Sequence, residues 1–167
     1  MAGKLARLWA HLFTAGAEAR FPAAAMDRIA QAIALGETVH GGEVCFAVEA
    51  ALPWREVLRD TDPRQRALDA FGRLRVWDTA ANNGALVYLL LADHRIEIVA
   101  DRGLAGRVSD AQWRGVCQLM EARLHAGEYV DGVVAGIEAA GDLIAEHFPR
   151  DPARVDEDEL PNRPVFL

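Results

Sequence analysis

Asn82-Asn83-Gly84-Ala85-Leu86-Val87-Tyr88-Leu89-Leu90-Leu91-Ala92-Asp93-His94-Arg95-Ile96-Glu97-Ile98-Val99 is the stretch that decides the fold. Asn-Asn-Gly is turn chemistry, because both residue types accept backbone angles that others avoid. The eight apolar residues from Ala85 to Ala92, bounded by turns, predict a central strand. Asp93-His94-Arg95 is a tight connection, and Ile96 and Ile98 then share one face of a returning strand. The expected unit is an antiparallel hairpin.

Upstream, Val44-Cys45-Phe46-Ala47-Val48 reads as another strand covered on both faces, broken off at Pro53. Asp62-Pro63-Arg64-Gln65 opens a helix: Asp62 caps, Pro63 suits the first helical position and Gln65 can reach back. Ala67, Phe71 and Leu74 give its buried stripe. A helix between two strands makes them parallel. Downstream, Ser109-Asp110-Ala111-Gln112 is a capping box, followed by Trp113, Val116, Cys117, Met120 and Leu124 at helical spacing. Gly127 closes that helix. A last helix carries Val133, Ile137, Ala140 and Ile144 and stops at Pro149.

Phe21-Pro22 opens an earlier helix with Met26, Ile29 and Ile33 on its stripe. Before it, residues 4–13 put Leu5, Leu8, Trp9, Leu12 and Phe13 on one side of an amphipathic helix. That face docks either on its own domain or on a partner or membrane surface. Trp9 and Trp113 are expected in the core, and Trp54, after Pro53, partly exposed.

The order α-α-β-α-β-β-α-α predicts a three-layer α/β/α sandwich. Its small mixed sheet combines a parallel crossover with a β-hairpin, and a C-terminal helical pair and an extra N-terminal helix complete it. The expected organisation is an amphipathic helix over 1–20, an α/β domain over 21–149 and a tail over 150–167. That tail holds Asp156, Glu157, Asp158, Glu159 and three prolines, which predict irregular structure.

The length of 167 residues fits one domain, and 51% hydrophobic residues suffice for a core. Net charge is -7 with no Lys/Arg block, which gives no electrostatic footprint for nucleic acid. Cys45 and Cys117 lie in apolar settings and read as free buried thiols, which suits a reducing compartment. No run of 18 apolar residues appears, so no transmembrane segment is expected. Arg7 and His11 interrupt the N-terminal stretch, which is not a signal peptide, and a cytoplasmic location is expected.

The topology gathers polar residues at one sheet edge, where the first two strands start and the third ends. Glu43 precedes the first strand. Asp78, Asn82 and Asn83 precede the second, and Asp101, Arg102 and Gly103 follow the third. Carboxylates and amide carbonyls are the ligands that hard cations prefer, so these five oxygen donors are candidate ligands for calcium or magnesium, Asp78 and Asp101 first. The plainer alternative is a turn at Asn-Asn-Gly, a capping Asp78 and an Asp101 paired with Arg102 or Arg107. His40 sits near this edge and is expected to face solvent.

The order of Gly42-Glu43-Val44, Asn82-Asn83-Gly84-Ala85-Leu86, Ile96-Glu97-Ile98, Asp101-Arg102-Gly103-Leu104, Gly127-Glu128-Tyr129 and Gly132-Val133 resembles the TPM domain over roughly residues 25–148. The resemblance implies an α/β/α sandwich, divalent-ion binding at the loop edge in some members, and roles in membrane-protein assembly or repair. An acid phosphatase activity is proposed for plant members. Secreted members carry a signal peptide and an extended segment with an Asp near the site; here an amphipathic helix stands instead. The function expected is a non-enzymatic, cation-binding interaction domain, working beside a membrane-anchored relative and with peripheral membrane contact through residues 4–13. The alternatives are a metal-dependent acid phosphatase, with Arg102 or Arg107 binding phosphate, and a metal-independent interaction module.

Overall fold

A computed structural model describes residues 2–151 and 159–167. In chain order the helices are α1 (Ala2–Phe13), α2 (Ala17–Arg20), α3 (Ala23–Glu37), α4 (Trp54–Leu58), α5 (Pro63–Arg73), α6 (Asp110–His125) and α7 (Tyr129–Ala145). The strands are β1 (Glu43–Glu49), β2 (Gly84–Leu90), β3 (Arg95–Ala100) and β4 (Val165–Phe166), in the sheet order β3-β2-β1-β4. β1 and β2 run parallel, with Glu43 opposite Gly84, and β2 and β3 form the antiparallel hairpin. His94 turns its tip in the left-handed region, φ 50°.

Every residue of β1 and β2 is buried, because both faces are covered. On one face Val44, Phe46, Val48, Val87 and Leu89 meet Ile29 and Ile33 of α3, Met120 of α6 and Ile137 and Ile144 of α7. On the other, Cys45, Ala47, Leu86, Tyr88 and Leu90 meet Val57 of α4 and Ala67 and Ala70 of α5. This is the α/β/α sandwich, set by the two-residue alternation of the strands.

The caps follow the expected chemistry. Asp62 accepts the Arg64 N–H at the start of α5, and Ser109 with Gln112 forms a complete capping box on α6. Gly127 ends α6 at φ 83°, a backbone angle suited to glycine. Gln65 does not reach back; its amide donates to Asp69 instead.

Three expectations are corrected. The tail is not wholly irregular: residues 159–167 are ordered against the sheet, Leu160 is buried, and β4 adds parallel to β1. The acidic run up to Asp158 lies outside the described residues. Trp9 is 59% exposed rather than core, and Trp113 is only half-buried. His40 is buried, with its Nδ1 accepting the Gly42 N–H.

Of the two expectations for the apolar face of α1, docking on its own domain does not hold. Its apolar stripe points away from the protein: Leu5, Trp9, Leu12 and Phe13 are each 59–72% exposed, and the Trp9 and Phe13 rings stack at 4.9 Å. The polar side docks instead. Arg7 Nε and Nη2 donate to Asp93 at 3.0 and 2.7 Å, and Nη2 also to the Thr61 carbonyl. His11 is buried; its Nδ1 accepts the Leu52 N–H at 2.9 Å, which leaves Nε2–H to donate to Asp93 at 3.0 Å. Burial pushes the Asp93 carboxyl up, but the hydrogen bonds from Arg7 and His11 outweigh it and hold it below the ordinary range. Only Leu8 packs against the core. Arg7 and His11, which interrupt the apolar stretch in sequence, are what anchors the helix.

Candidate functional site at the sheet edge

The edge forms as the topology dictates. Asp101 N–H donates to the Gly84 carbonyl at 2.9 Å, so the end of β3 lies against the start of β2, and β1 begins alongside. Thr79 Oγ1 accepts the Asn83 N–H, and Asn82, at φ 52°, takes the left-handed angle that asparagine tolerates. Gly103 N–H closes the corner on the Asn82 carbonyl. A methyl group on Gly103 would overlap the carbonyl oxygens of Ala81 and Asn82, so this approach requires glycine.

The candidate ligands meet different surroundings. Asp101 Oδ1 accepts the Arg102 N–H at 2.7 Å, while Oδ2 is buried and has no hydrogen-bond partner among the described residues. Asn83 is buried; its Nδ2 donates to the Gly41 carbonyl at 2.6 Å, and its Oδ1 is likewise buried without a partner. Asn82 Oδ1 accepts from Arg102 Nε at 2.8 Å. Glu43 is buried, and its carboxylate accepts the N–H groups of Glu159 and Leu160, so it anchors the C-terminal segment. Asp78 lies in the preceding loop, half-exposed and paired with Arg75. The edge therefore brings Asp101 and Asn82 together at the β2–β3 corner, while the Asn83 side chain turns to Gly41 in front of β1. Glu43 is committed to the tail, and Asp78 to a surface ion pair. Among the described residues no group of three His, Cys, Asp or Glu side chains is placed to hold a metal. Any ion here would rest on one carboxylate, amide oxygens and backbone carbonyls.

Sequence reasoning missed two polar clusters at the opposite end of the sheet. One is the Arg7–His11–Asp93 contact. In the other, Glu49, the buried last residue of β1, accepts Tyr88 Oη–H at 2.6 Å and two bonds from Arg66 at 2.8 and 2.9 Å. Burial and the Glu49 charge drive the Tyr88 hydroxyl far above its ordinary pKa. The signal was a glutamate ending an apolar strand, since a buried charge implies a partner.

A mixed-sheet α/β/α domain with its polar loops gathered at one sheet end is the class of protein these features define. The TPM domain family model matches residues 17–143, and the chain belongs to that family. The solved NMR structure of BA42 protein, from the psychrophilic bacterium Bizionia argentinensis, is similar at 30% identity and a TM-score of 0.76. The match covers 87% of this chain and 94% of that one. No curated protein matches the chain. The family match begins after α1.

Proposed function

We propose that this TPM domain is a non-enzymatic, cation-binding interaction module, with calcium or magnesium seated at the β2–β3 corner. The observation that carries the reading is the pair of buried oxygens, Asp101 Oδ2 and Asn83 Oδ1, that lack hydrogen-bond partners among the described residues. Asp101 lies opposite Gly84 across the hairpin ladder, so Asn83 is offset by one position and its side chain belongs to the other face; each oxygen is a separate candidate ligand, Asp101 Oδ2 first. Burying such an oxygen unpaired costs about 1–3 kcal/mol, and a hard cation would relieve it. With a single carboxylate the affinity belongs in the weak range, on the order of 10⁻⁴–10⁻³ M. The test is titration of metal-stripped protein with calcium and with magnesium, followed by amide NMR. Saturable shifts centred on Asn83, Gly84, Asp101 and Gly103, lost in Asp101→Asn, support the reading. Absence of saturable shifts at millimolar ion, or shifts unchanged in Asp101→Asn, refutes it.

The interaction part rests on α1. A stripe of four large exposed apolar side chains on a helix fixed by its polar side is a surface built to be covered. Its partner in this reading is a membrane-anchored member of the same family, with peripheral membrane contact as the competing occupant. Among the described residues no helix is long and apolar enough to cross a membrane. The free thiols Cys45 and Cys117 support a cytoplasmic setting. Trp9→Ser with Phe13→Ser leaves the domain folded and abolishes capture by the anchored relative. Retained capture excludes α1 as the contact, and co-sedimentation with phosphatidylcholine vesicles in its place identifies the bilayer.

The metal-dependent acid phosphatase is the second reading, favoured by Arg102 lying next to Asp101 on the same exposed turn. A bound cation and a guanidinium together would clamp a phosphoryl group. Hydrolysis of p-nitrophenyl phosphate that requires divalent ion and disappears in Asp101→Asn favours it; no turnover removes it.

A further inference from the structure

We infer that His94 and His125 together bind a divalent transition-metal ion of the zinc, nickel and copper class. The pair sits at the end of the sheet opposite the candidate calcium or magnesium corner, and the inference does not depend on a cation there.

The two histidines come from separate elements. His94 lies at the tip of the β2–β3 hairpin, and His125 is the last residue of α6. Their rings are nearly parallel, 26° apart in plane and 6.4 Å apart between centres. Both residues are exposed, so an ion reaches them directly from solvent. Imidazole nitrogen suits zinc, nickel and copper, whereas calcium and magnesium take oxygen.

One ring is already set for ligation. The Glu121 carbonyl can only accept, so His125 Nδ1, 2.7 Å from it, carries the proton. In the neutral ring, Nε2 then holds a lone pair. A metal-ligating histidine commonly gives its other ring N–H to a backbone carbonyl, because that bond fixes both tautomer and ring orientation. The position adds to this. His125 ends a sixteen-residue helix, and the carbonyl end of a helix dipole favours a cation.

His94 is held by its backbone instead. Its N–H donates to the Leu91 carbonyl at 3.1 Å, and Leu90 pairs with Arg95 across the ladder. Asp93, beside it, is tied to Arg7 and His11. The turn at φ 50° would accept glycine or asparagine as readily, so turn geometry does not account for an imidazole. Among the described residues the His94 ring makes no hydrogen bond, and its ring contact is with His125.

The spacing suits a chelate. An ion bonded to one nitrogen of each ring at about 2.0–2.1 Å lies roughly 3 Å from either ring centre. For octahedral to tetrahedral angles the centres are then roughly 4.5–5.5 Å apart. Rotation of the His94 side chain closes the remaining distance of about 1–2 Å. Net charge plays little part in the selection, since Arg95 pairs with Glu97 and Arg123 with Glu128. Among the described residues no group of three His, Cys, Asp or Glu side chains could hold a metal, so two imidazoles carry this site and water fills the other positions. A structural zinc site is closed by four protein ligands; an ion held by two exchanges readily and keeps positions open to a further ligand.

The test is titration of the untagged, metal-stripped full chain with zinc sulfate, followed by the imidazole Hε1 and Hδ2 signals and by calorimetry. Saturation at one zinc per chain is expected, with shifts at His94 and His125 and none at His11, His40 or His147. Losing an outer partner of a metal ligand costs roughly 10–100-fold in affinity and losing a ligand no less, so His94→Asn and His125→Gln should each bind zinc at least about tenfold more weakly. Asparagine suits the left-handed turn and glutamine the helix, so both variants should keep the amide spectrum of the sheet. Asp101→Asn should bind zinc as tightly as the parent, which separates this site from the sheet corner. No saturable shift at millimolar zinc, undiminished binding by either histidine variant, or an equal response of both rings to calcium overturns the proposal. Zinc-dependent dimerisation at one ion per two chains also overturns it, by placing the ion between copies.

Discussion

Asp93→Ala should release α1 from the body of the protein. The substitution removes four hydrogen bonds made by a carboxylate that is only 12% exposed, three from Arg7 (its Nε–H shared between the two oxygens) and one from His11. Charged hydrogen bonds of this kind contribute roughly 1.5–3 kcal/mol, and the buried His11 Nε2–H left without an acceptor costs about 1–3 kcal/mol more. Against this, the helix retains the partial burial of Leu8, worth on the order of 1 kcal/mol, the Leu52 N–H bond to His11 Nδ1, and the contacts of Arg7 with the Thr61 carbonyl and Asp60. A loss of about 3 kcal/mol removes the largest single part of what holds the helix. A twelve-residue helix is marginal on its own in water, so the released segment should unwind. Hydrogen exchange followed by mass spectrometry reads this directly: amides of residues 6–13 should lose protection while those of β1 and β2 keep theirs. Acid should act in the same direction. The docked Asp93 carboxyl is held below its ordinary range, so the released form binds a proton more readily. The contribution is fully present above the ordinary carboxylate pKa and is lost as pH falls through the depressed value. Unchanged protection of residues 6–13 in Asp93→Ala would refute the reasoning and place the attachment of α1 in these remaining contacts.

Three further outcomes are expected. Arg66→Met leaves the Glu49 carboxylate buried with Tyr88 alone and should cost about 3–5 kcal/mol in urea denaturation, whereas Tyr88→Phe removes one donor and should cost about 1–2 kcal/mol. Gly103→Ala forces a methyl group onto the carbonyls of Ala81 and Asn82, and should lower stability by more than about 1 kcal/mol and disperse the amide shifts of residues 81–84. Burial pushes the Cys45 and Cys117 thiols up to about 11, so both should react slowly with Ellman's reagent at neutral pH in native protein and rapidly in denaturant.

The central strands, the hairpin and the α6 capping box were legible because each is a local signal: an apolar run between turns, or a serine three residues before a glutamine. The parallel crossover followed from connection length. Two features were not legible for a common reason. The orientation of α1 depends on Asp93, distant in sequence, and hydrophobic periodicity finds the apolar side of a helix but not which side faces inward. The ordering of the tail depends on Glu43 receiving the N–H groups of Glu159 and Leu160, 116 and 117 residues away in sequence. At the candidate site, topology put five oxygen donors near one sheet edge, but not how they divide. The division among them came from neighbours: Arg75 takes Asp78 and the tail takes Glu43, while Asp101 and Asn83 keep an oxygen without a partner.

The placement of β4 has a consequence for how the chain folds. The β2–β3 hairpin closes over a few residues, and β1 joins across one helical crossover, but Ala47 waits for Val165. Contacts between segments so distant form late, because loop closure must precede any reward. During synthesis β1 therefore spends its time with one edge open, on a strand of seven buried residues. Open apolar edges are where nascent chains pair wrongly. Residues 165–167 act as a folding closure, shielding the strand that most needs cover once the rest of the sheet has formed.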